Sequence, residues 1–130
     1  MKAKRILVVE DDRVTQKVIT DVLKAAGYEV FTARSAAAAV KAAREEQPDL
    51  ITLDIELTQD SPDDSWDGFS VAGWLKRMNE GKANPVVVVI SGNPNPAMVA
   101  KRAASLGAYA CLKKPVEKQE LLDAVAAALK

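Results

Sequence analysis

Five residues carry side chains suited to chemistry and stand where apolar stretches of the chain stop: Glu10, Asp11, Asp54, Ser91 and Lys114. Three carboxylates brought together repel one another, and a divalent cation relieves that repulsion. Mg2+ is held by protein carboxylates, waters and a substrate phosphate. A carboxylate and a phosphate are both anions, so attack by Asp54 on phosphorus needs neutralising charge. A metal ion would give part of it, and Lys114 could give the rest as a point charge. Ser91 could donate a hydrogen bond to a phosphoryl oxygen, and aspartate is an established nucleophile in acyl-phosphate formation. The chemistry these residue types fit is metal-assisted phosphoryl transfer onto Asp54, provided the fold brings them together.

Five short apolar runs set the positions of these residues. They are Ile6–Val9, which runs into Glu10, Asp11 and Asp12; the weaker Glu29–Ala33; Leu50–Leu53, closed by Asp54; Val86–Ile90, closed by Ser91 and Gly92; and Ala108–Leu112, just before Lys113, Lys114 and Pro115. Continuous rather than alternating apolar runs indicate strands buried on both faces. Helical patterns separate them. Val14, Val18, Ile19, Val22 and Leu23 repeat at three and four, with Gly27 as the stop. Ser35 suits an N-cap for the Ala-rich run up to Gln47. Phe69, Ala72, Leu75 and Met78 form a third face, Ala97 to Leu106 a fourth helix stopped by Gly107, and Leu121, Leu122, Val125, Ala126 and Leu129 the last. Strand and helix alternate five times, which calls for a parallel sheet covered by helices. Such sheets carry their working residues at the carboxyl ends of the strands.

Size and composition fit a single domain over residues 1–130. Lys plus Arg equals Asp plus Glu at 18 each, so the chain lacks the cationic surplus of a nucleic-acid binder. The absence of histidine rules out a phosphohistidine carrier, a His-based hydrolase and a His-ligated zinc site. Cys111 is the only cysteine, so no intramolecular disulfide forms and a reducing cytoplasm fits. The apolar run after the basic start, Met1 to Arg5, is cut by acid after four residues, too short for a signal peptide or a membrane span.

The residues Ile6-Leu7-Val8-Val9-Glu10-Asp11-Asp12, Leu53-Asp54, Asp67-Gly68, Ile90-Ser91-Gly92, Gly107-Ala108 and Lys114-Pro115 together resemble the receiver domain of two-component response regulators. The likeness runs over nearly the whole chain. It implies a flavodoxin-like doubly wound five-stranded parallel sheet, order 2-1-3-4-5, with five helices. It further implies that Glu10, Asp11, Asp54 and the backbone carbonyl of Glu56 hold Mg2+ or Mn2+. Asp54 is then the phosphoacceptor, Ser91 the switch hydroxyl, Lys114 the phosphate contact and the bond before Pro115 cis. Partners implied are a histidine kinase or histidine phosphotransfer protein, and a downstream protein at the face formed by helix 97–106, strand 108–112 and the last helix. The expected product is a signalling domain that assists its own phosphorylation and dephosphorylation, not a turnover enzyme, and it would work without nucleic acid or membrane.

The sequence departs from the family where the loop between Asp54 and Gly68 is longer than usual, where Glu56 follows the acceptor, and where Cys111 stands at the position usually held by an aromatic ring. The acidic stretch Thr58–Asp67 is expected to be a solvated loop, because its spacing does not fit an EF-hand. Trp66 and Trp74 suit packing, and Cys111 suits a small buried apolar role. Asp12 alone suits a helix cap. Two other classes fit parts of the pattern. One is a receiver-like binding module that does not phosphorylate. The other is a haloacid-dehalogenase-type phosphatase, whose Asp-x-Asp-x-Thr signature is similar to Asp54-Ile55-Glu56-Leu57-Thr58 but sits on the first strand rather than the third.

Overall fold

The computed structural model describes residues 3–55, 73, 85–92, 95–105 and 107–130. The apolar runs form strands and the periodic segments form helices, in the order β1 (Arg5–Val9), α1 (Arg13–Ala25), β2 (Glu29–Ala33), α2 (Ala36–Glu46), β3 (Leu50–Asp54), β4 (Val86–Ser91), α3 (Pro96–Ser105), β5 (Ala110–Lys113) and α4 (Lys118–Ala128). The five strands make one parallel sheet in the order β2-β1-β3-β4-β5. The described residues hold four helices. Of the expected helix carrying Phe69, Ala72, Leu75 and Met78, Gly73 is described and is helical, while those four residues lie outside the described ones, as do Glu56, the acidic stretch 58–67, Trp66 and Trp74. Among the described residues no helix is long and apolar enough to cross a membrane.

Side chains alternate across each strand, so one sheet makes two cores. Ile6, Val8, Leu50, Val88 and Ile90 meet Ile19 and Leu23 of α1 and Leu121 and Val125 of α4 on one face. On the other face Leu7, Val9, Ile51 and Leu53 pack on Ala36, Ala39 and Ala43 of α2. Next to them, Ile55 and Val89 pack on Val99 and Ala103 of α3. Each fully buried aliphatic side chain contributes roughly 1.5–3 kcal/mol over leaving it exposed. The small alanines let α2 lie close to the sheet. Central β3 is buried at every residue, whereas β2, at the edge, is buried only at Ala33. The weaker apolar character of Glu29–Ala33 therefore reflects an edge position.

Local signals act as expected at most boundaries. Ser35 Oγ accepts from Ala38 N at 3.1 Å and caps α2. Gly27 takes a φ of 97°, past the end of α1, where a side chain is strained. Two boundaries differ from expectation. β5 begins at Ala110 rather than Ala108, because Ala108 N closes the turn onto Ala103 O and Tyr109, although its N–H reaches Val87 O at 2.8 Å, leaves its ring 54% exposed. α2 stops at Glu46, with Gln47 in the left-handed region at φ 47°.

Candidate metal and phosphoacceptor site

Each expected site residue among those described lies at the carboxyl edge of the sheet. Glu10 directly follows β1, and its N–H donates to Ala33 O at 3.0 Å, which ties it to the end of β2. Asp54 closes β3 opposite Ile90 in register. Ser91 closes β4 opposite Lys113, and its carbonyl accepts from Lys114 N at 2.9 Å. The Lys114–Pro115 bond is cis.

The order of strands turns these separate ends into one site. β1 and β4 flank β3, so the acids after β1 and at the end of β3 converge while Lys114 arrives from beyond β4. One carboxylate oxygen each from Glu10, Asp11 and Asp54 lie within 4.8 Å of one another. Glu10 and Asp54 are each only 1% exposed, and Ser91 5%. Lys114 Nζ stands 2.8 Å from Glu10 Oε1 and 3.4 Å from Asp54 Oδ1. At 2.8 Å, Lys114 gives Glu10 Oε1 a close countercharge. Burial opposes the charge on Lys114 and is the largest single influence on it. The hydrogen-bonding reach and charge of Glu10, with the charge of Asp54, together outweigh burial and hold the ammonium above the ordinary lysine value.

These donors fit a hard divalent cation. All three are carboxylate oxygens, the ligand type Mg2+ and Mn2+ favour. Three carboxylates and the single ammonium of Lys114 give the group a formal excess of two negative charges, in a place mostly closed to water. Holding that excess away from solvent is costly, and one divalent ion would balance it.

Asp12 is not part of this group. Its Oδ2 accepts from Thr15 N at 3.0 Å and from the Thr15 hydroxyl, so it caps α1. The Thr15 hydroxyl first, then the Thr15 N–H, hold its carboxyl below the usual aspartate range. Cys111 lies on β5 opposite Val89, half-buried against the Ile55, Val89, Val99 and Ala103 cluster, which suits the apolar role expected for it. Two residues beside the acids were not singled out by their sequence. Gln16 Nε2 donates to Glu10 O at 3.1 Å, and Arg34 Nη2 to Asp11 O at 3.4 Å. Neither is acidic. The only sequence signal for Gln16 is a polar side chain in the second turn of a helix that begins beside the acid pair.

Comparison with known proteins agrees with this geometry. The family model described as response regulator receiver domain matches residues 6–126. The chain is 32% identical over 126 residues to the polar-differentiation response regulator DivK of Brucella ovis, covering 94% of this chain and 93% of that protein. The receiver domain of NtrX from Brucella abortus superposes with a TM-score of 0.83 at 31% identity, over 95% of this chain and 97% of that one. The N-terminal domain of a response regulator/sensory box/GGDEF 3-domain protein from Carboxydothermus hydrogenoformans gives 0.80 at 33% identity, over 97% and 94%. With its five-stranded 2-1-3-4-5 sheet and its acids gathered at the carboxyl edge, the chain belongs to the response regulator receiver domain family.

Proposed function

We propose that this receiver domain accepts a phosphoryl group on Asp54, with Glu10, Asp11, Asp54 and the carbonyl of Glu56 holding one Mg2+ or Mn2+ ion. The observation that carries the reading is the meeting of three carboxylate oxygens within 4.8 Å, with Lys114 against two of the three acids. A bound ion would supply the positive charge that lets an anionic carboxylate approach an anionic phosphoryl group.

The chain's own residues do the rest. The ladder between β3 and β4 holds the backbone of Asp54, so its carboxylate is presented from a fixed place at the sheet edge. An Asp54 oxygen forms the new O–P bond as the donor's P–N bond breaks, and that electron pair leaves with the imidazole of a phosphohistidine on a kinase or phosphotransfer protein. Lys114, fixed by its N–H on Ser91 O, offers a charge for the phosphoryl oxygens. Ser91 at the end of β4 is the hydroxyl assigned to a further oxygen. Its movement toward the phosphate would shift a two-state equilibrium of α3, β5 and α4. Met98 and Tyr109, 43% and 54% exposed, support that face as the one read by a downstream protein. Residues 1–130 act as one receiver unit in the cytoplasm whose partners are proteins, with no direct nucleic-acid contact and no membrane.

Intact mass after incubation with acetyl phosphate and Mg2+ tests the reading. The expected result is a gain of one phosphoryl group that is absent with EDTA and absent in Asp54→Asn. Equal gain in Asp54→Asn would move the acceptor elsewhere. No gain from acetyl phosphate, from a phosphohistidine donor or with beryllofluoride would leave a receiver-shaped binding module.

A further inference from the structure

The acid pair sits just past the last residue of β1, where Glu10 N–H still donates to Ala33 O at 3.0 Å. Two side chains from different elements donate to the carbonyls of the pair. Gln16, half-buried on α1, donates its amide to Glu10 O at 3.1 Å. Arg34, exposed between β2 and α2, donates to Asp11 O at 3.4 Å. On the same turn, Asp12 N donates to Glu10 Oε2 at 3.2 Å. The helix does not need the Gln16 side chain for its own bonding, because Gln16 N already donates to Asp12 O at 2.9 Å.

We propose that Gln16 is a positioning residue of the metal centre, and that Arg34 supports it from the other side. This rests on the reading of Glu10, Asp11 and Asp54 as metal ligands. The three carboxylates repel, and one relief without an ion is to rotate the Glu10–Asp11 peptide and carry the side chains apart. A donor fixed on Glu10 O resists that rotation and keeps both carboxylates aimed at one point. Because the Gln16 amide is neutral, it gives this restraint without cancelling the negative charge that attracts the ion. A lysine or arginine on Glu10 O would give the restraint and reduce the charge. Arg34 is the weaker restraint, being longer and exposed to water. Groups that orient ligands in this way set affinity, although they never touch the ion.

The test is calorimetric titration of the metal-free protein with Mn2+, alongside urea unfolding in EDTA. Gln16→Met keeps the length of the side chain and removes the donor. Its Kd for Mn2+ is expected to rise about tenfold, with the metal-free variant still fully folded before urea is added. Arg34→Met is expected to raise Kd by less, and it keeps the test decisive should Gln16→Met fold poorly. In phosphorylation assays the Mg2+ concentration for half-maximal rate should rise in Gln16→Met, with the rate at saturating Mg2+ retained. An unchanged Kd in both variants, with wild type binding Mn2+ normally, overturns the role of Gln16 and Arg34 and leaves the metal centre standing. A Kd rise fully accounted for by the fraction of metal-free variant that is unfolded assigns Gln16 to folding alone and also overturns it. No Mn2+ binding by wild type overturns this proposal together with the metal reading beneath it.

Discussion

At the amino end of the sheet Arg5 gathers three carboxylates. Its guanidinium lies 2.8 Å from Glu46 Oε2 and 3.7 Å from Glu29 Oε2, and its N–H donates to Asp49 Oδ2 at 2.8 Å. At the carboxyl end Lys114 faces Glu10 and Asp54, with Asp11 beside them. Among the described residues, each end thus sets three carboxylates about one cation, with Arg34 also on the carbonyl of Asp11 at the carboxyl end. Side chains at the amino end are open to water, Glu29 at 54% and Glu46 at 36%, and Arg5 also stacks 4.8 Å above the Phe31 ring. Glu10 and Asp54 are closed off at 1%. Water answers the charge at one end and cannot at the other. A count of acids therefore does not mark a metal site. Convergence together with loss of solvent is the better sign, because the charge is then left without water to answer it.

The largest effect should come from removing the half-buried cation. Lys114→Met is expected to destabilise the metal-free protein by about 3 kcal/mol, since it takes this countercharge away from Glu10 and Asp54. Urea unfolding in EDTA measures it, and saturating Mg2+ should restore most of the loss. The same pair is visible against pH. The folded Lys114 value is raised above the unfolded one, near 10.5, so its contribution is complete below that value. It should fall away as pH rises through the higher folded value, and Lys114→Met should lack this alkaline loss.

Removing one acid from each end should give opposite signs. Glu10→Gln relieves repulsion among buried carboxylates and is expected to stabilise the metal-free protein by about 1 kcal/mol, while weakening Mg2+ binding. Glu46→Gln removes a favourable exposed pair and should cost under about 1 kcal/mol. Denaturant curves of both variants, with and without Mg2+, decide it. A loss of metal-free stability in Glu10→Gln would break the comparison.

Arg5→Met should have a similarly small effect. It should cost about 1 kcal/mol or less, part of it from the lost stacking on Phe31. The charge component should vanish at about 1 M salt, where the screening length falls to roughly 3 Å. The effect of Lys114→Met should survive that salt, because its partners are shielded from solvent.

The carboxyl end was legible because its signal is local. Leu50 to Leu53 is apolar and Asp54 ends it, so the strand and its terminal acid are adjacent in the chain. The same holds for Ile6–Val9 before Glu10 and for Val86–Ile90 before Ser91. The convergence of these ends followed from the resemblance, and the observed strand order bears it out. The amino end was not legible, because Arg5 and Glu46 are 41 residues apart and each looks like any surface charge. Gln47 ends α2 in a left-handed conformation without the glycine that would announce it. Gln16 and Arg34 act through backbone carbonyls, which every residue has, so no residue type at the receiving end pointed to them.

The most direct test of the contrast between the two ends is the amide NMR spectrum of the protein during addition of Mn2+, whose unpaired electrons broaden nearby signals. The expected result is broadening centred on Glu10, Asp11, Asp54 and Lys114, saturating at one ion per chain, with Arg5, Glu29, Glu46 and Asp49 unaffected. Broadening centred on the Arg5 end, or spread equally over both, would contradict the claim that buried convergence makes the site.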